Sequence, residues 1–149
     1  MSAGVLDVSV NADTLPDAPV ALLERAVLVT LREEGIEEAD ISVTLLADGD
    51  MLRLNERWLG RDDPTDVLAF ALGGEGATVG DVYVGHEQAA RQAADLGVDP
   101  EEELVRLAIH GTLHVLGHDH PEGPEREGSP MFRRQEALVR TVLGEGRAD

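Results

Sequence analysis

The stretch HGTLHVLGHDH, from His110 to His120, carries four of the chain's five histidines, in a sequence without cysteine. Any metal held here must therefore be held by imidazole nitrogen and by oxygen. His110 and His114 stand four residues apart. On a helix that spacing is one turn, about 40° of rotation, so both rings can point at one atom without distorting the backbone. Gly117 follows three residues later, where a residue without a β-carbon can adopt the left-handed conformation that ends a helix and sends the chain back. The returning chain would bring His120 to the same point. Three neutral imidazoles leave one coordination position for water, the arrangement of a catalytic rather than a closed structural site.

Written as spacing, H-x-x-x-H-x-x-G-x-x-H is the ligand pattern of the metzincins. The residue after the first histidine separates the two cases. Metzincins carry glutamate there, as general base for peptide hydrolysis, whereas this chain has Gly111. A metallopeptidase is accordingly the least favoured reading. A bound ion would still lower the pKa of its water to about 7, ready to attack another electrophile such as a phosphodiester. Asp119 has two readings, accepting a hydrogen bond from a ligand histidine or handling protons near the water, and the first is preferred. His118 reads as a loop residue or a substrate contact. His86, alone at the start of another helix, is assigned no role.

These residues need a scaffold. Leu6, Val8 and Val10 alternate with Asp7 and Ser9 within VLDVSV, as in a half-buried strand. Asp17 and Pro19 signal a helix start, Val20, Leu23, Val27, Leu28 and Leu31 form its apolar stripe, and Gly35 ends it. ISVTLLA is a second strand. Asp48 reads as the cap of a short helix with Met51, Leu54 and Trp58 on one side. VLAFAL, a continuous apolar run, reads as a strand covered on both faces, and GGEGAT turns it into VGDVYVG as a hairpin. His86 to Leu96 forms a helix stopped by Gly97. Asp99-Pro100-Glu101-Glu102 then opens the histidine helix, whose core stripe is Leu104, Leu107, Ala108, Gly111 and Val115, with His110 and His114 at its edge. After the polar PEGPEREGS, Ser129 and Pro130 start a last helix that buries Phe132, Val139, Val142 and Leu143. The expected fold is α+β, one domain over 1–144 with a mixed four-stranded sheet packed by about five helices, followed by a loose tail at 145–149.

Composition sets the outer limits. At 149 residues and 42% apolar content the chain suits one core. No run of about 18 apolar residues and no charged-then-apolar leader occurs, so a cytoplasmic protein without membrane contact is expected. GGEGATVGD lies between two strands rather than before a helix, so no nucleotide cofactor is expected. The net charge of -18 argues against indiscriminate binding to phosphate backbones, and all twelve basic residues are arginine. Arg53, Arg57 and Arg61 form one local basic group, and Arg133, Arg134 and Arg140 another.

HGTLHVLGHDH resembles the H-G-x-L-H-x-x-G-[YH]-D-H signature of the bacterial YbeY family, metal-dependent endoribonucleases of ribosomal RNA maturation. LNERWLGRDDPTDVLAF resembles that family's L-N-x-x-Y-R-x-x-x-x-P-T-D-V-L-S-F, VGDVYV its L-G-D-I-x-I, and MFRRQEALV its closing helix, so the likeness runs from Leu52 to Leu143. It implies one zinc ion on His110, His114 and His120, with nickel or another divalent ion as the alternative that imidazole also suits. The implied activity is endonucleolytic cleavage of single-stranded RNA, with small-subunit ribosomal RNA as the substrate matured at its 3' end, and a part in ribosome quality control. Ribosomal or ribosome-assembly proteins are the implied partners. Asp66 and Asp81 match family positions and read as strand-end hydrogen-bonding residues. Leu59 stands where the family has an arginine suited to phosphate, which leaves Arg57 and Arg61 as candidates for that contact. Ala69 and Ala71 replace a serine and a proline and bear on strand packing. The competing reading is a ribosome-assembly or RNA-binding factor whose zinc is mainly structural.

Overall fold

The computed structural model describes residues 4–59, 65–73, 77–119, 125 and 127–145. Strand β1 (Leu6–Asn11) alternates inward Leu6, Val8 and Val10 with exposed Asp7, Ser9 and Asn11. Helix α1 (Val20–Glu33) crosses over to strand β2 (Ala39–Leu46), which pairs with β1 in parallel. Helix α2 (Asp48–Leu59) leads to the hairpin of β3 (Val67–Ala71) and β4 (Val79–Gly85), followed by helices α3 (His86–Leu96), α4 (Pro100–Val115) and α5 (Pro130–Glu145). The sheet order is β1-β2-β4-β3, with β2 and β4 parallel and β3 antiparallel to β4. This is the α+β fold with a mixed four-stranded sheet and five helices that the sequence leads one to expect. Helix α5 includes Glu145, and 146–149 of the expected tail lie outside the described residues. Among the described residues no helix is long and apolar enough to cross a membrane.

The ends of α4 follow the local code. Asp99 accepts a hydrogen bond from the Glu101 amide at 3.2 Å, with Pro100 in the first turn. At the other end Gly117 takes φ 100°, its amide donates to the His114 carbonyl (3.0 Å) and that of His118 to the Leu113 carbonyl (2.9 Å). Those two bonds form a Schellman turn. Ser129 Oγ accepts from the Phe132 amide at 3.2 Å and starts α5.

Between its ends α4 departs from the expected stripe. Every residue from Glu103 to Leu113 is buried except Arg106, because the sheet, α1, α3 and α5 all pack against this helix. A helix covered on all sides has no single apolar face to read. Its contact with the sheet is reciprocal. A β-carbon on Gly111 would lie 2.4 Å from Val82 Cγ1, and one on Gly80 would lie 2.5 Å from Val115 Cγ1. Each glycine receives the valine of the other element.

Four further local readings are corrected. β3 is an edge strand, not one covered on both faces: only Leu68 is buried along it, and Leu72 beyond it is 57% exposed. A short apolar run looks the same in an edge strand whose one face meets a helix. Asp48 is the first residue of α2 and not its cap; its amide donates to Glu87 at 2.7 Å and its carboxylate binds Arg91 at 2.9 Å. On α2 the buried residues are Met51 and Asn55, while Trp58 is 58% exposed. On α5 the buried set is Met131, Gln135, Leu138, Val139 and Val142, with Phe132 and Leu143 only partly covered. The start of α1 falls where expected, but Pro19 occupies the cap and no side chain caps it.

Candidate metal centre

One turn of α4 brings His110 and His114 together as the spacing requires. Their Nε2 atoms lie 3.1 Å apart, with the rings at 76°. At zinc–nitrogen bonds of 2.0–2.1 Å, that separation subtends an angle of about 100° at an ion, close to tetrahedral. His110 is 5% exposed, and its other nitrogen, Nδ1, lies 2.6 Å from Gln135 Oε1. The orientation of that amide is settled by its neighbour. Gln135 Nε2 donates to Glu136 Oε2 at 3.0 Å, and a carboxylate accepts only, so Oε1 must face the imidazole. An amide oxygen accepts, hence Nδ1 carries the proton and Nε2 presents its lone pair toward His114. The donor chemistry thus fits a divalent ion with a taste for imidazole.

Behind Gln135 the support continues. Glu136 is gripped by Arg106 Nε (2.8 Å) and Nη2 (3.0 Å), and Arg106 also binds Glu103 (2.9 Å) and Glu102 (3.0 Å). The hydrogen bonding of Arg106 to Glu136 is the main reason its guanidinium holds its proton more firmly than usual, against the effect of burial. For Glu136 burial acts upward, but the bonds from Arg106 and Gln135 outweigh it and hold the carboxyl below its ordinary range. Beside His110 lies a cavity of about 320 Å³ lined by Asp66, Gln92, Glu103, Arg106, Leu107, Glu127, Phe132 and Gln135.

The other predicted residues fall in different places. His120 and Arg61 lie outside the described residues. Among the described residues no set of three histidine or carboxylate ligands gathers. Asp119 is exposed, just past the turn at Gly117. Arg57 is exposed on α2, its guanidinium 5.7 Å from the centre of the Trp58 ring. Asp81 accepts from Ser42 Oγ across the sheet at 2.7 Å, while the bond of Asp66 is made by its main-chain carbonyl, which accepts from the Gly85 amide at 2.8 Å. His86 meets Thr14 Oγ1 at 3.2 Å.

His118 lies in the loop just past α4, where it forms a clamp. Its Nε2 lies 2.6 Å from Glu34 Oε1, while Glu34 Oε2 accepts from Arg134 at 2.7 Å, so one carboxylate ties the end of α1 to α5 and to the turn after α4. The second expected basic group is thereby partly spent on internal bonds. Burial works to raise the Glu34 carboxyl, but Arg134 and His118 outweigh it and leave it below its ordinary value of 4.5. A folded-state value below the unfolded one gives stability that is present above the ordinary carboxylate range and lost as pH falls through the folded value. In urea titrations the wild type should therefore exceed Glu34→Gln in stability near neutrality, and the gap should close as the pH falls below the ordinary carboxylate range. Equal midpoints near neutrality would show that the clamp contributes nothing.

Gln135 and Arg106 were the functional neighbours that spacing did not reveal. Arg106 lies one turn before His110 and was visible in principle at the i, i+4 interval. Gln135 sits 25 residues further along, on another helix, and no local pattern connects it.

A family model described as Endoribonuclease YbeY matches residues 9–143. The Endoribonuclease YbeY of Desulfitobacterium hafniense (strain Y51) is 39% identical over 160 aligned positions, covering 93% of this chain and 97% of that protein. That of Salinispora tropica is 40% identical, covering 87% and 88%. The solution structure of TM1509 from Thermotoga maritima matches with a TM-score of 0.66 at 30% identity, covering 94% of this chain and 91% of that one. With a family model spanning nearly all of its elements and relatives this similar along most of their length, the chain belongs to the YbeY endoribonuclease family.

Proposed function

We propose that this protein is a zinc-dependent hydrolase that cleaves single-stranded RNA internally, with small-subunit ribosomal RNA in the cytoplasm as its substrate. The observation that carries the reading is the convergence of two imidazole Nε2 atoms at 3.1 Å, one of them fixed in its tautomer by Gln135. His110, His114 and His120 would hold the ion, and nickel could take the same donors. When bound, the ion supplies positive charge toward a phosphate oxygen and an acidified water.

The chain's own residues do the rest. Gln135 keeps the proton of His110 on Nδ1, so the ring stays a donor of its Nε2 lone pair. Asp119, one residue before His120, would accept a hydrogen bond from a ligand histidine or handle a proton near the bound water. Of the two arginine candidates, Arg61 would face the phosphate and stabilise the charge that gathers in the transition state, since the Arg57 guanidinium lies against the Trp58 ring instead. In the cavity beside His110 the guanidinium of Arg106 is already bound to Glu102, Glu103 and Glu136, and Asp66 and Glu127 add further carboxylates. These walls repel phosphate, so chelation should weaken RNA binding as well as cleavage.

The test is cleavage of a ribosomal RNA fragment and of an unstructured polypeptide, each with and without chelator, beside elemental analysis of the purified protein. RNA cut only by the metal-loaded protein, with about one equivalent of zinc, supports the proposal. RNA bound but never cut would favour an assembly factor, and cut polypeptide a peptidase. Gln135→Leu adds a finer check: zinc affinity, read by competition with a coloured chelator, should fall roughly 10- to 100-fold while the fold is kept.

A further inference from the structure

Three of the chain's four aromatic residues touch one another. Trp58 on α2 lies 5.8 Å from Phe70 on β3, ring centre to ring centre, and Phe70 lies 6.0 Å from Tyr83 on β4. Their place in the fold follows from the register. Gly80, Val82 and Val84 face α4, so Asp81 and Tyr83 face the opposite side of the sheet, and Phe70, paired with Asp81, shares that side. The row therefore starts on the outer strand β3 and lies on the sheet face turned away from the histidine helix. Leu72 continues the same side of the chain, and it and Trp58 are both more than half exposed.

Core packing does not explain this row, because its leading ring is left in water. A cation accompanies it: the Arg57 guanidinium lies over the Trp58 ring, and among the described residues it has no carboxylate partner. Arg53, Arg91, Arg106 and Arg134, by contrast, are each paired with acids. Asp40 and Asp7 share this face further along, toward β1, while Asp81, beside the rings, is bound by Ser42 and by Tyr83, whose hydroxyl is raised above its ordinary value by burial and by that carboxylate. A solvent-exposed ring backed by two partly buried ones, beside a guanidinium with no carboxylate partner among the described residues, is what single-stranded nucleic acid uses, since every base has a face to stack and every link a phosphate to meet.

We propose that Trp58, Phe70 and Tyr83, with Arg57 beside them, form a stacking platform for unpaired bases of RNA, next to the edge strand β3 and apart from the metal centre. The inference rests on RNA being the substrate. It also answers how a chain of net charge -18 could hold RNA at all, because stacking depends on ring surface and not on charge.

Trp58 is the sole tryptophan, so its emission reports the contact directly. Zinc-loaded protein is titrated with an unstructured oligoribonucleotide and with an abasic oligomer of equal length. The bases should quench Trp58 emission and the abasic oligomer should not. In parallel, cleavage of an unstructured RNA by Trp58→Ala should show KM raised about tenfold with kcat nearly unchanged, and Trp58→Phe should keep most of the affinity. Normal cleavage without quenching, equal quenching by the abasic oligomer, or an unchanged KM in Trp58→Ala would each overturn the platform. So would unchanged emission with RNA alongside a ribosomal protein that binds the wild type but not Trp58→Ala, which would make the patch a protein-docking surface. Quenching without any cleavage would keep the platform and overturn the hydrolase reading instead.

Discussion

His114→Ala is expected to abolish RNA cleavage and to leave the purified protein with little zinc. The loss should go well beyond the roughly 10- to 100-fold that follows from removing a residue which merely supports a ligand. His114 sits in the last turn of α4, only partly buried, and alanine is the best helix former at such a position. The variant should therefore stay folded, and circular dichroism beside the rates separates a lost ligand from a lost structure. The metal content matters as much as the rate, because contaminating nuclease can mimic activity but cannot carry zinc on this chain. A variant that retained both cleavage and a full equivalent of zinc would remove His114 from the centre.

The second large effect falls on stability. Gly111→Ala places a β-carbon 2.4 Å from Val82 Cγ1 and 3.3 Å from Val67 Cγ2, in the middle of the interface between α4 and the sheet. Val82 is fully buried and cannot swing into solvent, so either the helix or the strand must move. Overpacking of this kind costs about 2–3 kcal/mol, which for a chain of this size lowers the melting midpoint by roughly 5–10 °C. Val82→Ala in the same molecule should restore part of the loss, and a double-mutant cycle would register the coupling. A Gly111→Ala protein as stable as the wild type would be incompatible with the close approach described. The same geometry explains why this position does not carry the glutamate of a metal-dependent peptidase: a side chain there would be driven into the sheet.

The parts of the fold set by neighbours in sequence were open to reading. Asp99 and Pro100 at one end of α4, Gly117 at the other and Gly97 after α3 all act within a few residues, and each stands where local chemistry puts it. The approach of His110 to His114 is of the same kind. What escaped were features made by distant partners. Gln135 reaches His110 across 25 residues and Glu34 reaches His118 across 84, and neither pair leaves a periodic trace. The burial of α4 on every side and the edge position of β3 were hidden for a related reason. Hydrophobic pattern records how much of an element is covered, but not how many neighbours do the covering or which strand stands last. Trp58 was misread because an apolar residue at helical spacing is ordinarily core, and here it was left facing water.

The exchange of glycine for valine between α4 and β4 bears on the metal as well as on packing. His110 and His114 each immediately precede one of the helix residues locked into the sheet, Gly111 and Val115. The two rings can neither slide along the strand nor rotate about the helix axis without unseating that pair of contacts. A stripped protein should consequently keep its amide-exchange protection along the helix, and readdition of zinc should recover activity at once, with no refolding phase.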